Sequence, residues 1–226
     1  MLKIMPANNS ITGNVSNDTI DFFKNGDHLG TTISENGTFR DHLSNATRKA
    51  SVLVRMITRN LRTKNRQALT KVWKSYIEPV LIFDSVLWNS GLQYISDEVD
   101  KICNKFWRLS GVTKPLNCLM PSSVMLLRDL QMCHKILNFQ VGGVNPEDYF
   151  FRPTNVRSRE YANDFLFKRR FDHGAMNKSF FQRVIDPWNT IDKKTRELPY
   201  GAFTKEVKKL LYNKKICIPN RGRYAV

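Results

Sequence analysis

Apolar side chains return every three or four residues over much of the chain, and that period assigns helices. From Leu43 the stripe runs through Ala46, Ala50, Leu53, Ile57 and Leu61, about five turns on one face. Thr38 and Asp41 stand ahead of it at capping-box spacing, so the helix is expected to open there. Gln67 to Pro79 repeats the theme with Leu69, Val72, Trp73, Tyr76 and Ile77, and Pro79 disturbs or ends it. Val80 to Trp88 is almost wholly apolar and reads as a continuation of the buried element. A third helix is expected to start with Ser96 as its cap, Asp97 and Glu98 filling the first turn where the helix dipole favours anions. Its core face is Val99, Ile102, Cys103 and Phe106, and Gly111 stops it.

Pro121-Ser122-Ser123 opens a further helix with Leu127, Leu130, Cys133 or His134, and Leu137 inward, and Gly142-Gly143 breaks it. Residues 144–178 show little periodicity and much Arg, Lys and Phe, a loop-rich basic stretch. Ser179 to Ile185 and Phe203 to Leu211 read as short helices, and Cys217 to Val226 as a polar basic tail. Near the start, residues 1–27 are polar and read as irregular structure or weak strands. His28 to Ser34 is β-prone, and the following Asn36-Gly37 step signals a turn. The fold class is therefore mainly α: a small helical bundle preceded by a short β hairpin and followed by a loop-rich helical C-terminal region.

Charge changes the picture. Across 226 residues, 36 basic side chains face 20 acidic ones, a net charge of +16. Such a surplus repels itself when folded, and a polyanion is the partner that relieves it. The surplus sits in blocks, with nine basic residues against one acidic over 43–78 and ten against two over 193–226. No stretch is long and apolar enough to cross a bilayer, and Met1 to Val15 lacks the apolar centre of a signal peptide. The expectation is an intracellular protein, nuclear or cytoplasmic, whose partner is nucleic acid, with no membrane and no small-molecule substrate.

The basic residues also fall on faces. Arg48, Arg55, Arg59 and Arg62 are spaced seven, four and three apart, opposite the apolar stripe of the first helix. Lys71 and Lys74 follow on the second helix, and Lys101, Lys105 and Arg108 on the third. Between Arg48 and Lys74 there is no acid at all, whereas an ordinary solvated face interleaves both signs. Guanidinium forks match phosphate oxygens, so such a row can follow a nucleic-acid backbone without reading its sequence.

Catalytic chemistry is not legible. Two-metal nucleotidyl transfer needs converging carboxylates, yet the only adjacent acids are Asp97-Glu98 at a helix start and Glu147-Asp148 after Pro146 in an apparent turn. There is no phosphate-binding glycine loop and no nucleophile elbow. Cys103, Cys118, Cys133 and Cys217 match no disulfide or zinc pattern. His42 and His173 are expected to be exposed, and His134 a satisfied helix residue. No metal site and no cofactor is expected.

Two stretches carry a family likeness. His28-Leu29-Gly30-Thr31-Thr32-Ile33-Ser34, then Phe39, His42 and the basic helix, resembles the segment after the catalytic palm strands of non-LTR (LINE, jockey-like) retrotransposon reverse transcriptases. Lys74 to Phe83, with Ser85, Trp88 and Asn89, resembles the thumb of that family. Phe180-Phe181-Gln182-Arg183-Val184, followed by Trp188-Asn189, is similar to the Phe-Phe-x-Arg-Val…Trp-Asn box near the end of these polymerases. The likeness covers about residues 18–211.

It implies three parts: 1–42 as the end of the palm with the primer-grip strands, 43–114 as a thumb-like helical bundle, and 115–226 as a basic C-terminal helical region. Leu29 and Gly30 would back the primer terminus, and Arg183 would join the nucleic-acid contacts. The family's Tyr/Phe-x-Asp-Asp hairpin, which holds Mg2+ in the parent RNA-directed DNA polymerase, would lie upstream of Met1, so the chain as it stands is expected not to be an enzyme. The function expected is that of a C-terminal reverse transcriptase fragment holding template–primer. The alternative is a free-standing, sequence-nonspecific RNA/DNA-binding protein derived from a retroelement.

Overall fold

The structure is a computed structural model that describes residues 25–28, 30–34, 39–152, 165–169, 171, 176–213 and 215–216. It is mainly helical, with one short hairpin. Strands β1 (Asn25–His28) and β2 (Thr31–Ser34) pair antiparallel, His28 opposite Thr31 and Asn25 opposite Ser34. The β-prone run thus holds the turn inside it. Gly30 takes φ +89°, open to glycine at little cost, so the chain reverses there. The turn expected at Asn36-Gly37 lies outside the described residues, as does Thr38.

Helix α1 (Arg40–Asn60) buries Leu43, Ala46, Ala50 and Val54. Helix α2 (Arg66–Val72) starts under Asn65, whose side chain accepts from the amides of Gln67 and Ala68 at 2.9 and 3.2 Å. Pro79 then acts at a distance. It offers no N–H to the carbonyl of Ser75 and its ring would strike that carbonyl. The backbone answers with one wide turn over Trp73–Ile77, in which the Glu78 amide reaches back to the Trp73 carbonyl. Helices α3 (Glu78–Ile82) and α4 (Ser85–Trp88) follow, parted by Asp84 at φ +52°.

Helix α5 (Gln93–Ser110) corrects the expected start. Ser96 is a buried residue of its first turns and not its cap. Tyr94 and Ile95 already sit in the helix, and burial of Ile95 draws the start back by a turn. Its end is as expected, with Gly111 left-handed at φ +63°. Helix α6 (Pro121–Leu137) is started from a distance: Asp100 of α5 accepts from the Ser122 amide at 3.0 Å and the Ser122 hydroxyl at 2.7 Å. It ends on Asn138 and on Phe139 at φ +55°, ahead of the glycine pair. Short helices α7 (Pro146–Tyr149), α8 (Phe180–Arg183), α9 (Ile185–Asn189) and α10 (Lys193–Arg196) lead to α11 (Tyr200–Tyr212).

Apolar side chains gather in two clusters. One joins Leu43, Val54, Trp73, Ile77, Trp88, Phe106 and their neighbours up to Met125. The other runs from Leu126 through Leu130, Trp188, Phe203 and Val207 to Ile216. The boundary passes between consecutive residues of α6, which serves as a wall for both.

The hairpin is docked onto this body. The Thr31 hydroxyl donates to Asp84 at 3.0 Å, the Thr32 amide donates to His42 Nδ1 at 3.3 Å, and a Cβ on Gly30 would rest against the Phe83 ring. His42 is therefore buried, between β2 and the Trp88 ring 5.4 Å away, and not exposed as its sequence context implies.

Candidate nucleic-acid interface

At 100° per residue, Arg48, Arg55 and Arg59 fall within about 40° of arc on α1 and span about 16 Å along it. All three are exposed, on the side away from Ala50, Val54 and Ile57. Val52 and Met56, 55% and 51% exposed, lie on the flank of the same face. Arg62 follows, exposed, just beyond the helix end at Leu61.

Helix α5 lies alongside α1. Lys105 crosses the seam to donate to the Ser51 hydroxyl at 2.7 Å, and Lys64 donates to the Ser110 carbonyl at 2.8 Å. The second contact places a cation on the carbonyl end of α5, where the helix dipole favours it. These two lysines fasten the C-terminal parts of the helices side by side and put positive charge on the seam. Lys101 and Arg108 are exposed on the outward face of α5, but Lys101 is already paired with Glu98 at 2.6 Å. Such an exposed pair is worth little and opens readily.

The remaining expected residues do not all join this face. Lys71 and Lys74 are exposed, but Lys74 belongs to the neighbourhood of Glu78 and Cys118, with Arg128 and Lys208 also near that carboxylate. Burial holds the Glu78 carboxyl above its usual range, opposed by the hydrogen bond from Trp73 Nε1 at 3.0 Å. Gly30 is exposed at the hairpin turn, and Leu29 lies outside the described residues.

Arg183 needs correcting outright. It is 5% exposed, and its Nε and Nη2 grip both oxygens of Asp129 at 2.9 and 2.8 Å while Nη2 also donates to the Val86 carbonyl at 2.7 Å. The arginine of the Phe-Phe-x-Arg-Val box ties α8 to α6 and α4 and has no face for a phosphate. Desolvation pushes the Asp129 carboxyl up while Arg183 pulls it down. The end of the box is structural too: Trp188 is buried, and Asn189 clamps the Leu166 backbone, accepting from its amide at 3.1 Å and donating to its carbonyl at 2.8 Å.

The sequence reading missed Lys64, whose role in capping α5 depends on a partner 46 residues away. Its place in the acid-free run was the available signal.

Among the described residues, carboxylates able to hold paired magnesium ions do not converge. Asp129 is committed to Arg183, Asp100 to Ser122, Asp192 to Thr195 and Glu98 to Lys101. Among the described residues no three His, Cys, Asp or Glu side chains form a metal-binding group. These residues do not fit such a centre. Burial raises the thiols, Cys103 to about 12 and Cys133 well above its ordinary value, so neither is a ready nucleophile. Among the described residues no helix is long and apolar enough to cross a membrane.

No family model, curated protein or solved structure matches this chain.

Proposed function

We propose that the chain binds nucleic acid through phosphates along the α1–α5 face, as the C-terminal, non-catalytic part of a non-LTR retrotransposon reverse transcriptase. The reading is carried by one observation: Arg48, Arg55 and Arg59 stand exposed in a row opposite the buried stripe of α1, within a sequence run free of acids. Lys105 and Lys64 extend the positive seam onto α5. In the parent enzyme this face would grip the template–primer duplex.

The test is a binding titration of the full chain against RNA–DNA duplex at several salt concentrations. Binding should be independent of sequence and fall steeply with salt. Each phosphate contact contributes about 0.9 to the slope of log K against log salt, so the double variant Arg55→Ala/Arg59→Ala should flatten it by up to about 2. Its unfolding free energy should stay within about 0.5 kcal/mol of the parent chain, because both side chains are exposed. A salt-independent affinity, or an unchanged slope in the variant, would remove phosphate contact as the basis of binding. The chain should also give no primer extension on an RNA template with magnesium, and measurable synthesis would refute the non-catalytic assignment.

A further inference from the structure

A second surface, on the other core, carries a different chemistry. Phe151 and Phe167 face each other in an isolated antiparallel bridge, the Phe167 amide donating to the Phe151 carbonyl at 3.0 Å. Side chains alternate across extended backbone, and here both faces carry apolar side chains where solubility favours a polar outer one. Phe150 and Leu166, 3% and 2% exposed, point into the core. Phe151 and Phe167, 45% and 39% exposed, point out. The Arg169 guanidinium carbon stands 5.9 Å from the centre of the Phe151 ring.

The bridge is held in place. Asn189 grips both backbone groups of Leu166, and Lys168 is paired with Asp186 of α9. A fixed backbone keeps the two rings turned to water. Arg169, exposed, sets positive charge at the rings, and among the described residues Asp186 of α9 is engaged by Lys168. Glu147 and Asp148 lie in the first turn of α7.

We propose that the outward face of the Phe151–Phe167 bridge is a stacking platform for unpaired bases, a second nucleic-acid site that takes single strands. Outward aromatic rings with an arginine beside them suit a strand whose bases are free to lie on the rings while its phosphates meet the guanidinium. A duplex keeps its base faces stacked internally and gains nothing from such rings. The site shares no residue with the α1–α5 face, so the two can stand or fall separately.

The experiment uses the full chain and three probes: a fluorescein-labelled oligouridylate, an abasic strand of equal length and charge, and an RNA–DNA duplex. Phe151→Ala/Phe167→Ala should weaken oligouridylate binding by roughly tenfold or more and leave abasic-strand and duplex affinities unchanged. Phe151→Leu/Phe167→Leu, which keeps apolar cover but removes the ring faces, should lose the same affinity. Phe151→Trp should bind, with its indole fluorescence quenched by oligouridylate and not by the abasic strand. Unchanged oligouridylate affinity in the alanine variant, or an equal loss on the abasic strand, overturns the proposal. So does a concentration-dependent self-association that the alanine variant abolishes, which would make the rings a docking face for a second copy. Failure of the α1–α5 reading shows elsewhere, as duplex binding indifferent to Arg55→Ala/Arg59→Ala.

Discussion

Replacing Arg183 by Met leaves the Asp129 carboxylate enclosed by protein with its only described ion-pair partner gone. Both side chains of the pair are 4% exposed, so water cannot substitute for the lost fork. Removing one member of a buried ion pair costs about 3–5 kcal/mol. The lost bond to the Val86 carbonyl adds about 1 kcal/mol. For a chain of this size each kcal/mol lowers the melting temperature by about 2–4 °C, so Arg183→Met should melt roughly 8–24 °C below the parent chain.

The loss should also depend on pH in a definite sense. Burial already raises the Asp129 carboxyl and Arg183 opposes that rise. Without the arginine the folded-state value climbs further above the unfolded one, so the folded state binds the proton more tightly. Stability of the variant should therefore recover as pH falls and worsen as it rises. The assay is urea unfolding followed by far-ultraviolet circular dichroism at several pH values, for Arg183→Met, Asp129→Leu and the double variant. The double variant removes both charges and should recover much of the loss, a favourable coupling between the sites. A single-variant loss below about 1 kcal/mol, or a double variant as unstable as the two singles together, would refute the picture of a structural ion pair.

Gly111→Ala should destabilise by about 1–2 kcal/mol in the same unfolding assay, because its φ is +63° and the added Cβ would lie 2.7 Å from Lys64 Nζ. Since Lys64 must then leave the Ser110 carbonyl, duplex affinity should change as well, and an unaltered chain on both counts would argue against the seam. His134 is held neutral by burial, with Nε2 2.9 Å from the Leu198 carbonyl and its ring stacked 4.2 Å from Phe203. Its folded value lies below the unfolded one near 6.5, so its contribution is present above that pH and is lost as pH falls toward the folded value. The stability gap between the parent chain and His134→Gln should thus narrow from pH 7.5 to 5.5, and a gap that widens would reverse the assignment.

The helices were legible where local pattern decides them. The α1 stripe and the Gly111 stop are set by neighbours within a few residues, whereas the Pro121 start also draws on Asp100 of α5. What was not legible came from contacts between distant segments. Ser96 reads as a cap until Ile95 is seen to be buried, and His42 reads as polar surface until β2 and Trp88 close over it. The hairpin turn at Gly30 competed with a stronger local signal at Asn36-Gly37. Arg183 looked like one more cation in a basic chain, because its partner Asp129 lies 54 residues away. The row of arginines on α1 was readable from spacing alone, whereas its continuation through Lys105 required knowing that α5 lies beside Ser51.

Helix α6 turns Met125 to one core and Leu126 to the other. A construction that stops near residue 114 to isolate the thumb-like part would strip Met125 and Val124 from its core, and one that carries α6 along would bare Leu130, Cys133 and Ile136 to water. Neither piece can be cut out cleanly. The two halves should melt in a single cooperative step, and an attempt to express either alone should yield aggregates.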